Sequence, residues 1–431
     1  MSPAGFTAAE LARLGPEHLP EELLSRKHLI YSSPATLAFN SPGAEGFGVK
    51  RAGLAVPGSV MLIVAPGCCG RNTSLVSRIP GYENRFFYLT MDETDIVTGR
   101  HLKKIPQAVE EIIAFLDAKP SVVMICITCV DALLGTDMER VCRRAEERVG
   151  LPVRPCYMYA LTREGSRPPM VQVRQSIFSL LQPKKKKGTT VNLLGYFAPL
   201  YDDSELYPLL RSVGVKTIHE ISRCADFVEY LDMAAANFNL VLHPEARAAA
   251  QDFEKNLAIP SIELTRVYQP DRIHNQYLAL GQVLGTELDD GEYLAKTRQR
   301  VQCFRQECGT PRLAVGESLN GDPFELALAL TRFGMPVREV FGTLSGENFI
   351  YLRHLAELSP DTMVYSNMEP TMLFYDGGAS DVQLTLGKDA GFYHAGCPNV
   401  PWNSDRQPFG YAGVCRLLDA MQDALGAKER I

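Results

Sequence analysis

Short apolar runs alternate with segments of helical periodicity along most of the chain. Ser59–Val64, Arg85–Met91, Ser121–Thr128 and Val153–Tyr159 are continuous apolar or β-favouring stretches bounded by Gly, Pro or polar residues, and read as strands. Between them, Lys103–Leu116 and Met138–Val149 carry apolar residues at helical spacing. Strands alternating with helices predict a parallel sheet covered on both faces.

The pattern pauses at Gln182–Gly188, where four lysines in a row lie between Pro183 and Gly188. This reads as a solvated loop at a domain boundary, with an anion or partner patch as the alternative. A second round follows, with strands at Val191–Gly195, Val215–Ile221, Phe238–His243 and Ser261–Leu264. Its helices are Glu205–Val213, Asp226–Asn237 and Glu245–Leu257, and a long helical connection spans Asp271–Arg305. A third round has strands at Arg312–Gly316, Val337–Phe341, Thr362–Ser366 and Val382–Leu386, with helices at Asp322–Arg332, Asn348–Leu358 and Gly410–Leu425. The expected fold is α/β, with three Rossmann-like αβα domains whose parallel sheets surround a central cleft. The expected limits are an N-terminal helical extension at 1–35 and domains at 36–185, 186–305 and 306–431.

Length and charge narrow the function. A chain of 431 residues exceeds a single core. A net charge of −6 gives no reason to expect nucleic-acid or anionic-membrane binding. The first residues lack a basic region followed by an apolar one, and no apolar run is long enough to span a membrane. Eleven cysteines that follow no disulfide-framework spacing then suggest a reducing cytoplasm, with some thiols serving a metal.

The strand Ser59–Val64 ends in Ala65-Pro66-Gly67, and Cys68, Cys69 and Gly70 follow. The turn is not a Walker phosphate loop, because it has no lysine, and no G-x-G-x-x-G opens a helix. The strand Ser121–Thr128 leads into Cys129. Cys126 and Cys129 form a C-x-x-C, but on a strand such residues point to opposite faces, so Cys126 reads as a packed thiol and Cys129 as the reachable one. Thiols at the ends of two neighbouring strands suit an iron–sulfur cluster whose remaining ligands come from another chain. On the residues alone, packed thiols remain the alternative.

These motifs resemble the nitrogenase component 1 family, which includes the subunits of MoFe protein and of dark-operative protochlorophyllide reductase. Ala65–Ser74 (APGCCGRNTS) resembles its H-G-P-x-G-C-x-x-x-S turn, and Phe87–Gly99 its E-x-D-I-V-F-G-G segment. Thr128–Met138 resembles T-C-P-x-x-L-I-G-D-D-I, and Gly387-Lys388, Trp402 and Gly410–Gly413 resemble the last-domain G-x-K…W…G-Y-x-G end. The resemblance implies cluster ligation by Cys69 and Cys129, with Cys68 in a position that is usually Gly. A cysteine the family carries before the turn is missing from Leu37–Ser41. That favours a [4Fe–4S] centre at a subunit interface over a larger cluster, unless Cys68 compensates.

The family's cofactor cysteine of the second domain falls at or next to His243, and its last-domain histidine falls near Asn399–Val400. A second metal cofactor in the cleft is therefore left open, with His243 and Cys397 as candidate ligands. Asp92, Glu93 and Asp95 read either as support for the cluster turn or partner surface, or as a solvated acidic loop. The resemblance implies the catalytic component of a two-component ATP-dependent reductase. It would receive electrons from an ATP-hydrolysing iron protein and associate with itself or with a paralogous component-1-like subunit. The alternative is a scaffold for assembly of a metal cofactor, without substrate turnover.

Overall fold

Parallel strands need crossovers that bury both faces of the sheet, and the apolar runs meet that demand. The computed structural model describes residues 3–24, 48–67, 76–157, 167–377 and 380–428. The first strand, β1 (Gly5–Thr7), is followed by a helix, Ala8–Leu14, whose start is fixed by a capping box between Thr7 and Glu10. Next come β2 (Val60–Ala65), β3 (Phe86–Thr90), β4 (Val123–Ile127) and β5 (Val153–Tyr157), all parallel, in the order β3-β2-β4-β5. Every residue of β2 and β4 is buried. Met61, Ile63, Met124 and Cys126 face one core, and Leu62, Val64, Ile125 and Ile127 face the other. Helices His101–Phe115 and Met138–Val149 cover the second face.

The second sheet is β6 (Lys187–Leu194), β7 (Thr217–Glu220), β8 (Ala236–Val241) and β9 (Ser261–Glu263), parallel in the order β7-β6-β8-β9. It shares a core with the first sheet through the helices Val49–Gly53, Pro169–Phe178 and Arg247–Leu257. The lysine run is an exposed loop leading into β6, as expected, and it is tethered by its own charges. Lys184 and Lys187 pair with Asp232, and the Lys186 ammonium donates to the Ala234 carbonyl. One carboxylate at the end of the helix Phe227–Asp232 thus ties the run down as β6 begins.

The third sheet holds β10 (Leu313–Val315), β11 (Val337–Phe341), β12 (Met363–Tyr365), β13 (Leu384–Leu386) and β14 (Asn399–Val400). Its order is β1-β12-β11-β10-β13-β14, parallel except for β1, which pairs antiparallel with β12. The single helical connection expected over Asp271–Arg305 is two helices, Pro270–Leu284 and Gly291–Cys308. The described residues fall into two compact units. One contains the N-terminal segment, Leu200–Val213 and the chain from Arg266 onward; the other contains Gly46–Pro199 and Gly214–Thr265.

The outer edge of β5 is closed by side chains. Glu146 accepts from the Val153 amide and from Arg154, Arg154 donates to the Val153 carbonyl at 2.9 Å, and Pro155 has no amide to offer.

In the unit that carries the third sheet, the helix Gly410–Lys428 is seated by a buried carboxylate. Glu205 accepts from the Tyr411 amide at 2.7 Å, the Ala412 amide at 3.1 Å and the Tyr277 hydroxyl at 2.7 Å. Burial pushes the Glu205 carboxyl upward, and those donors pull it back down. Glu205→Ala leaves the three donors unpaired, so urea denaturation is expected to show a loss of about 2–4 kcal/mol. An unchanged midpoint would mean that this carboxylate does not anchor the helix.

Candidate functional site

In each sheet the first of the parallel strands lies between its successors, so the chain leaves it on one side and returns on the other. This produces a switch point at the carboxyl ends of β2/β4, β6/β8 and β10/β13. Such crevices are where open α/β sheets bind ligands.

The strands that lead toward the two thiol motifs, β2 and β4, end side by side at the first of these crevices. Val64 pairs with Ile127, so Ala65 and Thr128 leave the sheet side by side. Pro66 and Gly67 carry the chain toward Cys68 and Cys69, which lie outside the described residues. Cys129 opens the short helix Cys129–Leu134. Beside it in sequence, the Thr128 hydroxyl and one oxygen of Asp131 are buried without a partner among the described residues. Unpaired buried polar atoms are costly, so these two oxygens call for partners beyond the described residues, from protein, solvent or ligand.

The other Asp131 oxygen is held. It lies 2.9 Å from His101 Nε2 and accepts from the Thr136 hydroxyl at 3.1 Å. His101 Nδ1 lies 3.0 Å from the Asp95 carbonyl, which can only accept, so Nδ1 carries a proton. The His101 and Asp131 side chains are both fully buried, and together they join the helix that begins at Cys129 to the acidic segment after β3.

That segment is not a solvated loop. Asp92 and Asp95 form a capping box on the helix Glu93–Thr98. Asp95 is buried, accepting from Lys104 at 2.7 Å and Arg100 at 2.6 Å. The Lys104 ammonium and then the Arg100 guanidinium hold its carboxyl well below the usual carboxylate range.

The other candidate residues are dispersed. His243 lies two residues beyond β8 at the second switch point, where its ring is half-buried and lies 5.6 Å from the Tyr196 ring. Its Nδ1 accepts from the Glu245 amide at 3.3 Å and caps Pro244–Ala246, which leaves the proton of a neutral ring on Nε2. Gly195 opposes it; a Cβ there would meet the His243 amide nitrogen at 2.8 Å. Arg174 locks this crevice, donating to the Gly195 carbonyl at 2.7 Å and to Glu245 at 2.8 Å. Cys397 precedes β14 at the amino edge of its sheet, where its thiol donates to the Val382 carbonyl at 3.4 Å. Cys126 is a packed thiol opposite Cys156 in β5, and both are fully buried. Among the described residues no group of three or more His, Cys, Asp or Glu could hold a metal ion, and no helix is long and apolar enough to cross a membrane.

The family described as "Nitrogenase component 1 type Oxidoreductase" matches residues 45–426. The nitrogenase iron-molybdenum cofactor biosynthesis protein NifE of Sinorhizobium fredii is 25% identical over 416 residues, covering 90% of this chain and 82% of that protein. NifE of a Nostoc species is 28% identical over 210 residues, covering 47% of this chain and 43% of the relative, so that alignment spans less than half of the relative. The structure titled "Nitrogenase Cp1 at pH 6.5" shares the fold, with a TM-score of 0.71 at 18% identity over 95% of this chain and 96% of that one.

Removing one member of the His101–Asp131 pair strands the other. His101→Ala and Asp131→Ala are each expected to lose about 3–5 kcal/mol by denaturant titration, with the double variant well short of the sum. Additive losses would mean the pair is not coupled. For Asp95, a depressed carboxyl stabilises the fold above the ordinary carboxylate range, and that contribution is lost as pH falls through its folded value. Lys104→Met weakens the depression, so the midpoint of acid unfolding, followed by circular dichroism, should move to higher pH.

Proposed function

The chain belongs to the nitrogenase component 1 type oxidoreductase family, and from that premise we propose that it is a scaffold on which a metal cofactor is assembled, without substrate turnover. The observation that carries this reading is the match to the NifE cofactor biosynthesis protein over 90% of the chain. The sequence departures agree with it, because His243 and Asn399–Val400 stand where catalytic relatives are expected to have cofactor ligands. The nascent cofactor is cargo on this reading, not a resident group.

A resident iron–sulfur cluster, [4Fe–4S] in type, would be held at the β2/β4 crevice by Cys69 and Cys129, with Cys68 beside them as the alternative candidate. The chain fits such a group in two respects. Two strand ends in direct register lead to the two cysteine motifs, and unpartnered polar atoms of Thr128 and Asp131 lie next to Cys129 in sequence. When bound, the cluster supplies one-electron transfer. The His101–Asp131 pair holds the helix that starts at Cys129, and Asp95 holds the segment that supports His101. Two ligands from each chain make four across a two-fold axis, so the partner is a second copy or a paralogous component-1-like chain. An ATP-hydrolysing iron protein would deliver the electrons.

A second reading, a catalytic component of an ATP-dependent reductase, is favoured by the oxidoreductase description of the family. The two differ in what happens after loading. A scaffold passes metal to an acceptor protein and reduces no substrate, whereas a reductase turns over with an iron protein and ATP. Anaerobically purified protein should contain iron, and Cys69→Ala and Cys129→Ala should each lose most of it together with the charge-transfer absorption. If iron content and spectrum are unchanged in both variants, the crevice does not hold the cluster.

A further inference from the structure

The third switch point lies between β10 and β13, and it is filled from within. The turn after β10 runs Gly316-Glu317-Ser318 and directs two successive amides toward the crevice. Asp389, next after Lys388 beyond the end of β13, places its carboxylate on them. Glu317 N donates to Oδ2 at 2.7 Å and Ser318 N to Oδ1 at 3.0 Å. The Asn367 side-chain amide, beyond the end of β12, donates to Oδ2 at 2.6 Å. All three partners are N–H donors, so the carboxyl acts as an acceptor at each. Successive amides at a strand end form a nest for oxyanions, and at the first strand of an open sheet that nest is the usual anchor of an anionic ligand.

The fit is close. A Cβ on Gly316 would meet Asp389 Oδ1 at 2.0 Å, so the glycine is what lets the carboxylate reach the amides. Asp389 is 1% exposed. The neighbouring Glu317 side chain turns elsewhere and accepts from the Thr343 amide at 3.2 Å. Burial, and then the charge of Asp389, push the Glu317 carboxyl up to about 7.

We propose that the turn after β10 is an oxyanion-binding site whose occupant is the chain's own Asp389 carboxylate, closing this crevice to external anions. Removing the side chain opens a site for small carboxylates and phosphate. The inference is independent of whether the chain carries a cluster. It differs from a purely structural hydrogen bond in one respect: an added anion can replace the missing group.

The test uses the full chain and follows the thermal midpoint against sodium formate and, separately, sodium phosphate, with sodium chloride matched for ionic strength. Asp389→Gly should show a saturable rise of ~2–4 °C with formate or phosphate and none with chloride. The unaltered protein should not respond, and Asp389→Asn, which keeps the crevice filled, should not respond either. A folded Asp389→Gly that ignores both anions overturns the proposal, and so does an equal response from the unaltered protein. Should Asp389→Gly fail to fold alone, it is refolded with and without formate. Recovery confined to formate supports the proposal, and no recovery overturns it.

Discussion

The backbone pairing of parallel strands on either side of a first strand is the constraint on which the rest depends. A parallel sheet fixes where each strand stops relative to its neighbour, and a slip of one residue would exchange every buried side chain for one of the opposite face. β2 and β4 are buried on both faces along their whole length, so neither can slip without disrupting two cores at once. The meeting of Ala65 with Thr128 follows from that register, and the acidic segment after β3 is placed by the same ladder.

The same topology occurs three times, and the chain fills each switch point differently. At β6/β8 the backbone of His243 closes on Gly195, and Arg174 clamps the carbonyl from behind. At β10/β13 a carboxylate enters the amide nest. At β2/β4 the described residues leave polar oxygens of Thr128 and Asp131 unpartnered. Burial of a polar group is tolerable only when its partners are supplied. At β6/β8 and β10/β13 the chain's own residues engage Gly195, His243 and Asp389, and at β2/β4 they engage one oxygen of Asp131, through His101 and Thr136.

Much of the fold could be read from apolar periodicity. The helix Met138–Val149 and the strand Val337–Phe341 have the limits the pattern predicts. Short elements escaped, because β1, β14 and the helices Cys129–Leu134 and Lys388–Tyr393 are too brief to show a period and are held by tertiary pairing. The acidic segment was ambiguous for a different reason. Asp95 becomes a buried acceptor only once Arg100 and Lys104 fold back on it, and spacing alone does not distinguish that from a solvated loop. His101 and Asp131 carried no local signal at all, since thirty residues separate them and the crossover from β3 to β4 brings them together. Likewise, Asp389 follows a legible Gly-Lys pair, but its destination on the amides of Glu317 and Ser318 belongs to the sheet order. Cys397 sits on the Gly/Pro turn expected for it, and the strand direction puts that turn at the amino edge.

The closed margin of β5 bears on how copies of this chain can meet. With the Val153 amide and carbonyl already engaged by Glu146 and Arg154, and Pro155 lacking a donor, an approaching strand meets a blocked start to this margin. Strand exchange and open-ended fibre growth are therefore disfavoured along this margin. Association of two chains on that side falls to side-chain surfaces, whose shape and charge can be tuned one residue at a time without altering the sheet behind them.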